Sequence, residues 1–166
     1  MMYHLFHFRE AHKVFEQKAM ASDVTMTVNH VLNSLNGAFR RNDLLRAALD
    51  EMGWYKGPVW NIIAGRRYRF LGYKHGVAIE AGLDTYDYIV EGLMTLQLGY
   101  DKGQIDAGIL MLSTQGSRIC RDTDMNDLIV KDMGAMEPIL SMPVSICLYD
   151  LNDPFIRNGL QTPAIL

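Results

Sequence analysis

One stretch narrows the possible folds more than any other, because between residues 77 and 113 the hydrophobic period changes twice. Residues 77–81 (VAIEA) have the composition of a short strand. In 84–100, Ile89, Leu93, Leu96 and Tyr100 recur at i, i+4, i+7 and i+11, the spacing of one helix face. Residues 105–113 (IDAGILMLS) then form an apolar run of the kind buried on both faces of a sheet. Strand, helix and strand in this order make a crossover, and a crossover joins parallel neighbours. The chain is therefore expected to be α/β, with a mixed sheet covered by helices.

The flanking segments fit around that unit. The first third is helical in pattern, with helices expected over 11–21, 25–35 and 42–52. Ser22-Asp23 reads as a break between the first two, Asn36-Gly37 as a stop and Gly53 as a C-cap. Gly57-Pro58 signals a turn. Residues 68–73 alternate and are rich in aromatics, so a strand is expected there. The connection Lys74-His75-Gly76 would close it into a hairpin with 77–81. A weaker helix is expected over 122–136 and a last apolar strand over 143–151, with loop or docked coil from Asn152. No internal repeat and no linker divides the 166 residues, so one domain spanning 1–166 is expected.

Bulk properties bound the function only loosely. No apolar run is long enough to cross a bilayer, and residues 1–10 do not read as a signal peptide. Cys120 and Cys147 lack metal-ligand spacing and are expected to be reduced and structural, which points to the cytoplasm. The net charge of −3 supplies no global attraction for phosphates, but it leaves room for a local basic face.

Several segments, taken in order, resemble the BglII/BstYI-type restriction endonucleases, a group within the PD-(D/E)XK nuclease superfamily. They are Phe70-Leu71-Gly72, the hairpin strand 77–83 with its acidic residue, the helix end and central strand of 98–111, and Met142-Pro143-Val144-Ser145-Ile146. The helical region up to Gly53-Trp54 is similar to that group's N-terminal part. The likeness implies a restriction-endonuclease-like core over about 68–151, preceded by a helical region over about 1–54. It also implies a homodimer, since a palindromic target mirrors two-fold symmetry.

That chemistry requires an Asp and a Glu to hold Mg²⁺, which prefers carboxylate oxygens, and a third side chain two residues after the Glu. Residues i and i+2 of a strand share a face, so the third group can orient water beside the metal. Glu80 matches the glutamate, but the third position is Gly82, and 71–76 contains no carboxylate. One motif position of three survives. The resemblance therefore implies architecture more than activity, with no cofactor expected and Mg²⁺ required only if cleavage persists.

Three other acids are possible helpers. Asp84 reads first as the N-cap of the 84–100 helix, with Asp87 supporting its first turn; Glu91 and Glu51 read as solvated helical residues. The basic candidates for nucleic-acid contact are Arg66, Arg67 and Arg69 around Tyr68, with Lys74 and His75 nearby, and Arg40-Arg41 as a second patch. The bland alternative is a solvated positive face. His4, His7 and His12 fit no zinc spacing. Asp122, Asp124, Asp127 and Asp132 lack the glycine and terminal glutamate of a calcium loop.

The favoured expectation is a catalytically inactive restriction-endonuclease-like protein. It would serve as a nucleic-acid-binding or complex-assembly module, in defence or a mobile element. One alternative is an active Mg²⁺-dependent DNA endonuclease whose motif has migrated to Glu80 with Asp84 or Glu91. The other is a pure protein–protein interaction module, which the sequence pI of about 5.9 favours.

Overall fold

The computed structural model describes residues 1–57, 59–120 and 124–152. Five strands form one mixed sheet in the order β1-β7-β6-β5-β4: β1 is Met2–Phe8, β4 Gly72–Lys74, β5 Val77–Glu80, β6 Ala107–Ser113 and β7 Val144–Asp150. β6 pairs parallel with both β5 and β7, while β1 and β4 run antiparallel at the two edges. A separate two-stranded hairpin is made by β2 (Trp60–Ile63) and β3 (Arg66–Tyr68). The expected mixed sheet with a parallel crossover is present.

The pleat sorts the core into two halves. Val77, Ile79, Ile109, Met111 and Cys147 face α1 (Ala11–Gln17), α2 (Ala21–Leu35) and α3 (Arg41–Glu51), packing with Phe15, Val28, Leu32, Leu49 and Trp54. Ala78, Leu110, Leu112, Ile146 and Leu148 face α4 (Ile89–Asp101) and α5 (Met125–Ala135), packing with Leu93, Leu96, Ile129 and Met133. Burying both faces explains why β6 and β7 read as continuous apolar runs. The β4–β5 turn follows its sequence signal, with His75 at φ 49° and Gly76 at φ 82°, the pair of positive values a tight hairpin requires.

The structure corrects several local expectations. The N-terminal segment is an edge strand, so the first third is not wholly helical. Its partner lies about 140 residues away in β7, Met2 opposite Asp150, and its large residues point to both faces, which hides the alternation. The break between the first helices falls at 18–20 rather than at Ser22-Asp23, which lie inside α2. Ala19 turns the chain there with φ 55°. Residues 68–73 are not one strand. β3 pairs with β2, β4 pairs with β5, and Phe70 between them is buried. The 84–100 helix starts late, as a 3-10 turn over Tyr86–Tyr88 that leads into α4. Asp124 is the cap of α5, accepting from the Asn126 amide at 2.8 Å. Asp122, Pro58 and the expected coil beyond Asn152 lie outside the described residues.

Candidate functional site

Glu80 ends β5, and strand alternation places it with Ala78 on the α4 side of the sheet. There it lines a cavity of about 200 Å³ together with Tyr68, Gly82, Asp84, Tyr88, Glu91, Thr95 and the β6 residues Leu110 and Leu112. Gly92 also lines the cavity; a Cβ on it would sit 2.5 Å from a Leu110 methyl, so a glycine here lets α4 approach the sheet. Three of the four carboxylates singled out in the sequence, Glu80, Asp84 and Glu91, therefore share one recess.

Their circumstances differ. One oxygen of Glu80, Oε1, accepts both the Tyr68 hydroxyl at 2.8 Å and the Leu71 amide at 3.3 Å. Burial pushes the Glu80 carboxyl up to about 7; the two donors pull against that, and the Asp84 charge adds to it. The Tyr68 hydroxyl is raised well above its ordinary value by burial and by the Glu80 charge, so it stays a donor. Asp84 and Glu91 are exposed.

Asp84 is not a helix cap. The residue preceding the 3-10 turn is Thr85, which caps nothing through its side chain, and the Asp84 carbonyl accepts the Ser113 amide at 2.9 Å. Asp87 does lie in the first turn of the 3-10 segment, but its carboxylate serves other groups than the first-turn amides. It accepts the Ser117 hydroxyl at 2.6 Å and the Arg118 amide, which holds its carboxyl below the usual range.

As arranged, the donor set does not fit a Mg²⁺ site. Glu80 is committed to neutral donors on one oxygen, Gly82 supplies no ligand, and residues 71–76 contain no carboxylate. A Cβ on Gly82 would approach Asp84 Oδ2 to 2.7 Å, which places the exposed Asp84 carboxylate beside the position a side chain at 82 would take. Among the described residues, no group of three or more His, Cys, Asp or Glu side chains is placed to hold a metal ion.

The basic candidates divide into two classes. Arg66, Arg67 and Arg69 are exposed on and just after β3. They flank Tyr68, whose ring turns inward and packs edge-on against Trp60 and Phe70 at centroid distances of 5.7 and 5.6 Å. Arg40 and His75 are exposed. Lys74 instead bridges Asp23 at 3.0 Å and donates to the Met52 carbonyl, and Arg41 donates to the carbonyls of Leu35 and Asn152. These two cations tie elements of the chain together.

Glu51 pairs with His30 at 2.6 Å, away from the Glu80 recess. His7 bonds the buried Ser145 hydroxyl at 2.7 Å; burial, then the neighbouring His12, lowers its basicity. His4 lines a different cavity, beside Cys120 and Tyr149. Asp132 accepts the Tyr86 hydroxyl at 2.7 Å.

Comparison with solved structures joins the architecture to a known one. Free BglII superposes with a TM-score of 0.57 at 9% identity, over 92% of this chain and 81% of that one. BglII complexed with a DNA 16-mer gives a TM-score of 0.60 at 9% identity, over 90% and 78%. The fold is restriction-endonuclease-like. No family model matches the chain, and no curated protein matches it by sequence. No described helix is long and apolar enough to cross a membrane.

Within this restriction-endonuclease-like frame, sequence reading located Glu80 but missed its partners. Tyr68 was legible only as a strand aromatic, twelve residues away in the chain. Two lysines beside the hairpin were also missed. Lys102 lies 6.0 Å from the Trp60 ring, and Lys56 shares a cavity with Arg69. Neither has a local signal, because both reach the hairpin from other segments.

Proposed function

We propose that this protein is a catalytically inactive restriction-endonuclease-like module that binds nucleic acid, with the exposed arginines of the β2–β3 hairpin as its phosphate contacts. The observation that carries the loss of catalysis is the state of Glu80: half-buried, bonded to Tyr68 and Leu71, and followed two residues later by a glycine. A carboxylate whose acidity is weakened by burial, and whose bonded oxygen serves two neutral donors, is a poor partner for a hard dication. The binding part rests on Arg66, Arg67 and Arg69, all exposed on one short ribbon, and on the DNA-bound state of the structural neighbour BglII. Such contacts set affinity and salt dependence more than sequence choice.

The test combines cleavage and binding on duplex and single-stranded DNA. Expected is no Mg²⁺-dependent cleavage, together with binding that weakens as salt rises. Reversing Arg66, Arg67 and Arg69 to Glu is expected to weaken binding at least ~30-fold and flatten the salt slope by about three contacts. Robust Mg²⁺-dependent cutting abolished by Glu80→Ala would overturn the reading. Salt-insensitive or absent binding would favour a protein–protein module.

One observation favours the active-enzyme alternative, namely that Glu80, Asp84 and Glu91 line the same cavity. That reading requires Glu80 to give up Tyr68 and turn toward the two exposed acids. It expects Glu80→Ala to abolish cleavage together with at least one of Asp84→Asn and Glu91→Gln.

A further inference from the structure

The position that a metal-dependent nuclease would devote to its ion is occupied here by a carboxylate with a different task. We infer that Glu80 is a positioning residue that anchors the arginine-bearing β2–β3 hairpin to the main sheet; the link to binding rests on the nucleic-acid reading above.

The hairpin is a sheet of its own, with no strand pairing to the five-stranded sheet. It joins the main sheet through residues 69–71, and Glu80 grips both ends of that connection. Its Oε1 accepts the hydroxyl of Tyr68, the last residue of β3, and the amide of Leu71, one residue before β4. The connection is held from the other side as well, because Arg46 of α3 donates to the Leu71 carbonyl while bonding Asp50 at 2.6 Å. Leu71 is thereby fixed through both its amide and its carbonyl, and the hairpin departs from a fixed point.

Among the described residues, the Tyr73 amide also donates to the Tyr55 carbonyl at 2.7 Å on the segment that leads into β2, and the hairpin's own further contacts with the body are mainly apolar. Trp60, Tyr68 and Phe70 cluster against the body, and Phe70 fits over Gly99 of α4, where a Cβ would collide with its ring. Apolar contacts of this kind bury area without prescribing direction. The polar group that could prescribe it, the indole N–H of Trp60, is buried with no hydrogen-bond partner. A buried donor left unsatisfied opposes the docked arrangement. The Tyr68 hydroxyl, bonded to Glu80 and also in contact with Thr95 of α4, is therefore the directional contact that aims Arg67 and Arg69, the residues on either side of Tyr68.

Three variants test this with two independent readouts: the rate of trypsin cleavage at Arg66, Arg67 and Arg69 relative to cleavage elsewhere in the chain, and the affinity for a short DNA duplex. Glu80→Ala and Tyr68→Phe are expected to speed hairpin cleavage about tenfold and to weaken duplex binding about fivefold or more. Glu80→Gln keeps an oxygen that accepts from Tyr68 and Leu71, and is expected to match the parent in both readouts. If Glu80→Ala fails to fold, Tyr68→Phe carries the test alone. Unchanged hairpin cleavage in Tyr68→Phe would overturn the anchor, as would Glu80→Gln behaving like Glu80→Ala. Faster cleavage with unaltered duplex affinity would overturn the link to binding. Should the parent protein bind no DNA while the cleavage pattern follows expectation, the anchor stands and the nucleic-acid reading falls.

Discussion

The two tryptophans of this protein are both buried, and they live under opposite conditions. Trp54 follows α3, sits at 0% exposure among α2, α3 and the sheet, and donates its indole N–H to the Thr27 hydroxyl at 2.9 Å, itself fully buried. Trp60 begins the hairpin, lies under Lys102, and leaves the same N–H without a partner. The α1–α3 half of the molecule has thus satisfied its buried indole, while the hairpin side carries an uncompensated donor. The contrast is between the two indoles and not between whole halves, because Arg46 Nε of α3 is also buried without a hydrogen-bond partner among the described residues. The candidate recess lies beside the unsatisfied indole's hairpin.

Substituting the tryptophans gives the largest expected contrast. Trp54→Ala is expected to cost ~4 kcal/mol, since it opens a cavity in a closed core and orphans Thr27. Trp60→Ala should cost less than half as much in the same urea-denaturation series. Equal losses would erase the distinction between the two regions.

Glu80 supplies the next effect, through pH. Its carboxyl is raised from 4.5 to about 7, so between those values the unfolded chain has released a proton that the folded protein still holds. Stability from this group is complete below about pH 4.5, falls as pH rises toward 7, and stays at the lower level above. Glu80→Gln removes that dependence. The variant should equal the parent near pH 4 and exceed it by ~3 kcal/mol at pH 8, at 1.36 kcal/mol per pKa unit. His7 titrates with the opposite sign, because burial lowers its basicity, but it is common to both proteins and cancels in the difference. A constant gap between variant and parent across this range would show that Glu80 is not held protonated by burial.

The smallest effects sharpen the comparison most. Thr27→Val leaves the Trp54 N–H unsatisfied and should cost ~1.5 kcal/mol. Trp60→Phe removes a donor that already has no partner, so its lost packing is offset and the net change should stay under ~1 kcal/mol. Thermal unfolding of the two variants side by side measures both. A larger loss for Trp60→Phe would mean that this indole has a partner in solution.

How far the fold could be read depended on the range of the contacts involved. The β4–β5 hairpin and α4 carry their signals within a dozen residues, in His75-Gly76 and in the spacing of Ile89, Leu93 and Leu96. The edge strand β1 carries none, because its pairing is with β7 at the far end of the chain. The cap assigned to Asp84 failed for a related reason. Its backbone is drawn toward Ser113 of β6, and that tertiary bond delays the start of the helix. The site shows the same division. Glu80 and the exposed arginines could be named from local pattern, whereas Lys74 and Arg41 look equally available in sequence and prove to be tied to Asp23, Met52, Leu35 and Asn152.

By itself the amino-acid sequence determined the α/β class, the parallel crossover, the glycine at 82 and the lack of a carboxylate over 71–76, since periodicity and residue identity are local properties. Only the tertiary structure decided what surrounds Glu80. Its partial burial, its two donors on one oxygen and its nearness to Asp84 arise from segments brought together by folding, and those surroundings raise its carboxyl above the ordinary value.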